Sequence, residues 1–153
     1  MRCIIYANSE VPSWLKECFP ALDPYLLKIV NKTLLEYFLD LASMLKVTDL
    51  RIVSDVSIKE YELCFKDGAK WGLNLSYALA KPGDGIKTVI LKNSSFCREH
   101  NLFIVNGFFF VHYKRNLIDQ AFDYEQEFCI SGDSNRLRYL TKGDHWDIDG
   151  ESV

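Results

Sequence analysis

The sequence predicts an α/β layer fold built on a mainly parallel sheet. Short apolar runs that suit buried strands alternate along the chain with segments whose apolar residues recur at helical spacing. The 153 residues suit one domain with its own core, and 48% of them are hydrophobic. Because no linker or internal repeat interrupts the alternation, we expect one domain over residues 1–142 and an acidic tail over residues 143–153.

The first part of the chain is expected to contribute one strand and two helices. Arg2–Ala7 is almost continuously apolar and predicts a buried strand. A short helix over 13–19, with Ser13 as its cap, and a short extended piece over 26–30 follow. Asn31 is the expected cap of a longer helix, because apolar residues recur at helical spacing after it. These residues are Leu34, Leu35, Phe38, Leu41, Ala42 and Leu45.

The middle of the chain predicts two further core strands around a helix. The strand over 50–53 precedes a helix over 58–65. Gly68 is expected to end that helix in a left-handed conformation. Residues 72–79 alternate between apolar and polar side chains, which predicts a third core strand.

A glycine-containing loop opens the next part of the chain. This loop covers 81–85 and leads into a helix over 86–93. A fourth strand is predicted over 102–105, and the aromatic residues over 108–113 are expected to continue extended. Beyond them, a helix over 116–125 and two edge strands, 128–130 and Leu137–Leu140, joined by a Ser-Gly-Asp turn, complete the prediction.

Composition excludes several classes of protein. The formal charge of −3 and the pI of about 5.6 give no sign of a nucleic-acid partner. No apolar run reaches the roughly 18 residues of a membrane span, and the N-terminus is too short and too soon polar for a signal peptide. We therefore expect a cytoplasmic protein.

The cysteines and histidines predict neither a disulfide framework nor a metal site. Five cysteines occur, an odd number without C-x-x-C spacing, so we expect them to be reduced and mostly buried. A reactive thiol needs a basic, exposed setting, and only Cys97, which is next to Arg98, comes near it. His100, His112 and His145 are scattered. The acids near the C-terminus lack the full spacing of a calcium loop and are interpreted as a solvated tail. We expect no metal and no cofactor.

Five segments, in order, resemble the sugar-phosphate nucleotidyltransferase family. They are IIYA at 4–7, LLKIVNKTLLEY at 26–37, VTDLRIV at 47–53, FKDGAKWGLNLSY at 65–77 and LFIVNG at 102–107. Each is weak alone, but their joint order and spacing are fairly specific. The resemblance implies a three-layer, Rossmann-like nucleotidyltransferase (GT-A-like) fold and a setting in nucleotide-sugar or polysaccharide metabolism. The family's second half is expected to be truncated here.

The chain departs from the family where the resemblance would place its chemistry. Phe108 follows Asn-Gly, where the family has an aspartate that holds magnesium, and a phenyl ring cannot ligate a hard cation. Residues 8–13 (NSEVPS) replace a glycine-rich phosphate loop, and Asp23 aligns with a phosphate-binding lysine. Because phosphoryl transfer depends on positioning and charge neutralisation, we expect no catalytic residue and little activity.

A residual pocket is nevertheless expected at the carboxyl edge of the sheet, where α/β folds place ligands. Its candidate residues are Gly83, Asp84, Gly85, Asn106, Ser54 and Asp55. Structural alternatives stay open for each group: a plain turn at 83–85, backbone satisfaction by Asn106 and a helix cap at Asp55.

Four functions are compatible with these observations. The first is a catalytically inactive binding, regulatory or assembly module, with a protein partner or self-association expected. The second is a divergent transferase that uses Asp55, Asp84 or Asp23. The third is a sensor of a nucleotide or nucleotide sugar. The fourth is an oligomerisation domain that uses the aromatic run, in which we expect Phe109 to be buried and leave Phe108 open.

Overall fold

The structure, a computed structural model, describes residues 1–111 and the strands at 128–129, 137–140, 147–148 and 151–152. It confirms the predicted α/β fold, with a mainly parallel sheet between layers of helices. Within this described part of the chain, no helix is both long and apolar enough to cross a membrane.

The described elements include ten strands and five helices. The strands are β1 (Arg2–Ala7), β2 (Lys28–Ile29), β3 (Lys32–Thr33), β4 (Asp49–Ser54), β5 (Asn74–Leu79), β6 (Leu102–Asn106), β7 (Phe128–Cys129), β8 (Leu137–Leu140), β9 (Asp147–Ile148) and β10 (Glu151–Ser152). The helices are α1 (Ser13–Cys18), α2 (Leu34–Met44), α3 (Lys59–Phe65), α4 (Ile86–Lys92) and α5 (Ser94–Cys97), with 3-10 turns at Pro24–Leu26 and Ala69–Trp71.

The main sheet has the strand order β5-β4-β1-β6-β8-β7. Strand β1 pairs in parallel with β4 on one side and with β6 on the other, and β4 pairs in parallel with β5. The strand order therefore reverses direction at β1, and the carboxyl ends of four parallel strands share one edge. Strands β8 and β7 add antiparallel to β6, so β7 is an edge strand as predicted, whereas β8 lies inside the sheet.

Each face of the sheet packs against its own helices. Because side chains alternate along β1, Cys3 and Ile5 join a core with α2 and α3, while Ile4 and Tyr6 join a second core with α4 and α5. All four of these side chains are buried. The result is a three-layer arrangement in which both faces of the sheet are covered by helices.

The predicted cap of α2 is wrong. Strands β2 and β3 form a hairpin, and Val30 in its turn has a φ of 65°, so Asn31 belongs to this turn. The helix is capped instead by Thr33, whose hydroxyl accepts from the Glu36 N–H at 3.2 Å. The Glu36 carboxylate in turn accepts from the Thr33 N–H at 2.9 Å, which completes a capping box.

Other boundaries also differ from the sequence predictions. Helix α1 begins at Ser13, but Pro12 occupies the cap position and no side chain caps the helix. Strand β5 begins at Asn74 because Gly72 has a φ of 68°, which a strand does not accommodate. Gly68 adopts the predicted left-handed conformation but does not end α3: Lys66 holds the C-cap position, and Gly68 precedes the 3-10 turn at Ala69–Trp71. Strand β6 ends at Asn106, and residues 108–111, the described part of the predicted extended segment 108–113, do not form a strand.

The expectation that most cysteines are buried is correct for Cys3 and Cys97 and wrong for Cys18 and Cys64, which lie on the solvent faces of α1 and α3. Burial raises the pKa of the Cys97 thiol to about 11, although nearby arginines oppose the rise, so the reactive setting expected there is absent. The predicted helix over 116–125, the Ser-Gly-Asp turn, His112 and His145 lie outside the described residues.

Candidate functional site

A cleft of about 540 Å³ opens at the carboxyl ends of β1 and β4. The last residues of these strands, Ala7 and Ser54, lie at its base. The segment after β1, the 3-10 turn at Pro24–Leu26 and the start of α3 supply its other residues. The volume falls within the roughly 300–1,000 Å³ of small-molecule pockets, and the position is the usual ligand site of α/β sheets.

The walls of the cleft are mostly apolar and aromatic. Tyr25 and Tyr61 are almost completely buried, at 2% and 1% exposure. At the rim, Phe19, Leu22 and Val56 are exposed although they are apolar. Such a surface favours a ligand with an apolar body.

Asp23 joins two of these walls. One of its carboxylate oxygens accepts from the Tyr25 N–H at 2.8 Å, and the other accepts from the Tyr61 hydroxyl at 2.6 Å. Burial raises the pKa of the Tyr61 phenol, and the adjacent Asp23 raises it further, so Tyr61 stays protonated and keeps donating. Asp23 therefore organises the cleft from within its lining.

The loop after β1 is held by its own hydrogen bonds. The Asn8 side-chain oxygen accepts from the Glu10 N–H at 3.2 Å, and the Val11 N–H donates to the Ser9 carbonyl at 3.0 Å. The Ser9 hydroxyl donates to Asp55 at 2.7 Å. Two backbone amides that an anion-binding loop would present to a phosphate are thus already engaged.

Asp55 supports this loop and does not cap a helix, contrary to the structural alternative suggested by the sequence. Helix α3 begins four residues later, at Lys59, with Ile58 in the cap position. The Asp55 side chain is buried, at 8% exposure, and its second oxygen accepts no hydrogen bond from the described residues. A buried carboxylate with one partner therefore lies between the cleft residues Ser54 and Val56 in sequence and keeps one strong acceptor.

Asn106 lies where the strand order reverses, between β1 and β6. Its side-chain oxygen accepts from the Asn8 side chain at 3.4 Å, so it contacts the loop that borders the cleft. Gly107 follows with a φ of 85°, and a Cβ there would lie 3.6 Å from the Asn8 side chain. The two asparagines thus close the crevice between these strands, and a role for Asn106 in binding stays a prediction.

The structure does not bring Gly83, Asp84 and Gly85 to the cleft. The Asp84 carbonyl accepts from the Tyr6 hydroxyl at 2.8 Å, and Tyr6 belongs to the core on the α4 and α5 face. The Lys92 ammonium group bonds the Asp84 carboxylate and lowers its pKa below the ordinary value. Of the candidate pocket residues, only Ser54 lines the cleft, with Asp55 and Asn106 one contact behind it.

Phe108 supports the cleft from behind and does not fill it. Its ring forms a T-shaped pair with Tyr25, with centroids 5.8 Å apart, while the Phe109 and Phe38 ring centroids are 5.2 Å apart. Both rings are partly buried against the main core, whereas Phe110 is half exposed. A phenyl group with aromatic neighbours offers no oxygen to magnesium, and no group of three His, Cys, Asp or Glu side chains suited to a metal occurs among the described residues. The residues present therefore do not fit the magnesium that the family resemblance implies.

Sequence reasoning missed Tyr25 and Tyr61. The Asp23-Pro24 turn before Tyr25 and the four-residue spacing of Tyr61 and Phe65 on one helical face were visible signals. Neither signal shows that Asp23 and Tyr61 meet, because these residues are 38 positions apart.

Comparison with known proteins supports the fold. No protein-family model and no curated protein matches this chain. A protein assigned as a glucose-1-phosphate thymidylyltransferase from Bacillus anthracis, solved in complex with sucrose, is similar in structure, with a TM-score of 0.69 and 16% identity over 83% of this chain and 52% of that chain. A UDP-glucose pyrophosphorylase complexed with UDP-glucose has a TM-score of 0.58 and 16% identity over 82% of this chain and 54% of that chain.

These likenesses confirm the predicted Rossmann-like nucleotidyltransferase fold. At 16% identity they concern the fold alone. This chain spans about half the length of the two proteins.

Proposed function

We propose that this chain is a non-catalytic domain with the nucleotidyltransferase fold, which binds a small molecule in its cleft without transferring a nucleotidyl group. The observation that carries the proposal is the internally bonded loop after β1. Its Glu10 and Val11 amides donate within the loop, and its Ser9 hydroxyl is engaged by Asp55. A triphosphate would have to break these bonds before the backbone could cradle it.

The charge of the cleft supports the same proposal. Among the described residues that line it, Lys16 is the one cation, and it is accompanied by the acids Asp23 and Glu60. By the family resemblance, Asp23 stands where a lysine would meet phosphate. Nucleotidyl transfer requires neutralisation of several negative charges, and this lining adds negative charge instead.

The open cleft favours a binding role over a purely structural one. A packing module would be expected to fill its interior, because protein cores contain few voids larger than a water molecule. Here Phe108 packs against Tyr25 and is not among the lining residues, and the cleft stays open. By analogy with the fold of the similar proteins, we propose a setting in nucleotide-sugar or polysaccharide metabolism for such a binding module.

A pyrophosphate-release assay tests the absence of catalysis. The chain is incubated with magnesium, each nucleoside triphosphate in turn and a panel of sugar 1-phosphates, beside an active nucleotidyltransferase as a positive control. We expect no release above the rate without protein. Turnover at ordinary enzyme rates that disappears in Asp23→Asn or Asp55→Asn variants would contradict the proposal and support a divergent transferase.

A further inference from the structure

The charges around the cleft are arranged for a positive ligand. Asp23 and Glu60 line the cleft, where Lys16 is the one cation among the described lining residues, and Asp55 accepts a hydrogen bond from the lining residue Ser9. Lys16 and Glu60 are exposed, so these two charges act at the mouth, while Asp55 is buried and acts from the base. The surplus negative charge therefore extends from the mouth of the cleft to its base.

The pKa values of two nearby tyrosine phenols are raised in part by these carboxylates. Burial raises the pKa of Tyr6 to about 12, and Asp55 adds to the rise. Burial likewise raises the pKa of Tyr25, with further contributions from Asp23 and Asp55. Both directions agree with the positions of Asp23 and Asp55, which bond Tyr25 and Ser9 beyond the carboxyl end of β1.

The aromatic walls favour the same kind of ligand. Tyr25, Tyr61 and Phe19 are all lining residues of the cleft. Tyr25 and Tyr61 are almost completely buried, so Phe19, at 46% exposure, is the ring among these three that a ligand can contact most fully. Aromatic faces attract ammonium and guanidinium groups, and they attract them more strongly where water is excluded. The Tyr61 hydroxyl donates to Asp23, so the ring and the carboxylate are joined in one polar unit.

We infer that the cleft selects a small organic cation, an ammonium group attached to an apolar or aromatic body, over nucleotides and other anions. The ammonium group would lie near Asp23 and Glu60, and the apolar body would contact the exposed rim residues Phe19 and Val56. This inference rests on the proposal that the cleft binds a ligand without turnover.

Three probes with a shared phenylalkyl body isolate the effect of charge. Phenethylamine is the cation, phenethyl alcohol is the neutral analogue and 3-phenylpropionate is the anion, and UDP-glucose is titrated beside them. Binding is followed by amide chemical shifts of the whole chain. We expect the amine to bind about fivefold more tightly than the alcohol, with the anion weakest, from combined ion-pair and cation–π attraction. Raising the salt concentration to about 0.5 M should reduce the preference for the amine.

Matched variants locate the binding. Glu60→Gln removes a charge from the cleft and should weaken amine binding about threefold, an effect typical of one exposed charge. Glu62→Gln is the control, because Glu62 is exposed on the same helix and does not line the cleft. Asp23→Asn should weaken binding at least as much. Since Asp23 also organises the walls, the Glu60 variant decides the outcome if the Asp23 variant unfolds.

Several results would overturn the inference. These are equal or tighter binding of the alcohol or the anion, tighter binding of UDP-glucose, equal losses in the Glu60 and Glu62 variants, and no saturable binding of the amine at millimolar concentration. Tight UDP-glucose binding without pyrophosphate release would contradict the inferred preference for cations and leave the non-catalytic proposal intact. Pyrophosphate release would remove the non-catalytic proposal itself.

Discussion

Replacing Ser9 by alanine tests whether the loop after β1 is held by its bond to Asp55. The Ser9 hydroxyl donates to a carboxylate that is only 8% exposed, over 2.7 Å, and the other oxygen of Asp55 has no partner among the described residues. Ser9→Ala would therefore leave a buried charge without a hydrogen bond from this part of the chain. A hydrogen bond to a charged group contributes about 1.5–3 kcal/mol, so we expect a loss of about 2 kcal/mol in the free energy of unfolding.

Urea unfolding followed by tryptophan fluorescence measures this loss. For a chain of this size, about 2 kcal/mol corresponds to a fall in Tm of about 4–8 °C. Ser13→Ala is the matched control, because Ser13 begins α1 without a side-chain cap bond, and it should cost less than about 0.5 kcal/mol. Equal losses in the two variants would refute the reasoning, as would an undiminished Ser9→Ala loss in an Asp55→Asn background.

Further predictions concern α2 and two glycines. Thr33→Ala breaks the capping box and should cost about 1 kcal/mol in urea unfolding, and a neutral result would contradict the cap assignment. Burial raises the pKa of Glu36, but the hydrogen bond from the Thr33 N–H and a neighbouring ammonium group more than offset it, so the pKa is lowered. The stabilisation by Glu36 is therefore present above the unfolded-state pKa of about 4.3 and is lost as pH falls through the folded-state value. Glu36→Gln should make the urea midpoint depend less on pH between about pH 5 and pH 3. Gly68→Ala should cost more than about 2 kcal/mol, because φ is +80° and the new Cβ would lie 2.4 Å from the Leu75 side chain. Gly83→Ala, where φ is +84° but the new Cβ would meet no atom within 4 Å, should cost about 1 kcal/mol in the same assay. Equal losses in the two variants would contradict the steric argument.

The central strands were predictable because each buried strand corresponds to a short run of consecutive, mostly apolar residues. Residues 3–7 are a continuous run of buried side chains in β1, and β1 pairs on both sides, as expected for the middle of a parallel sheet. Helix α2 was similarly clear from its periodic apolar face. Its cap was not, because Asn31 and Thr33 are both acceptable cap residues and only the β2–β3 hairpin decides between them.

The cleft was harder to predict because its residues meet through contacts distant in sequence. Ser54 was found from its position at the end of a strand, which is a local feature. The turn at 83–85 was assigned to the same pocket, but the side of the sheet to which a loop turns depends on packing, and Tyr6 holds this turn on the opposite face. The bond between Asp23 and Tyr61 likewise has no signature in either segment alone.

The most direct test of the account follows the amides of Glu10 and Val11 by NMR during titration with magnesium and UTP. Because both amides already donate within the loop, we predict that their signals do not move at millimolar nucleotide. A saturable, magnesium-dependent shift of these two signals would show that the loop opens to a polyphosphate, and it would contradict the claim that this cleft is unsuited to one.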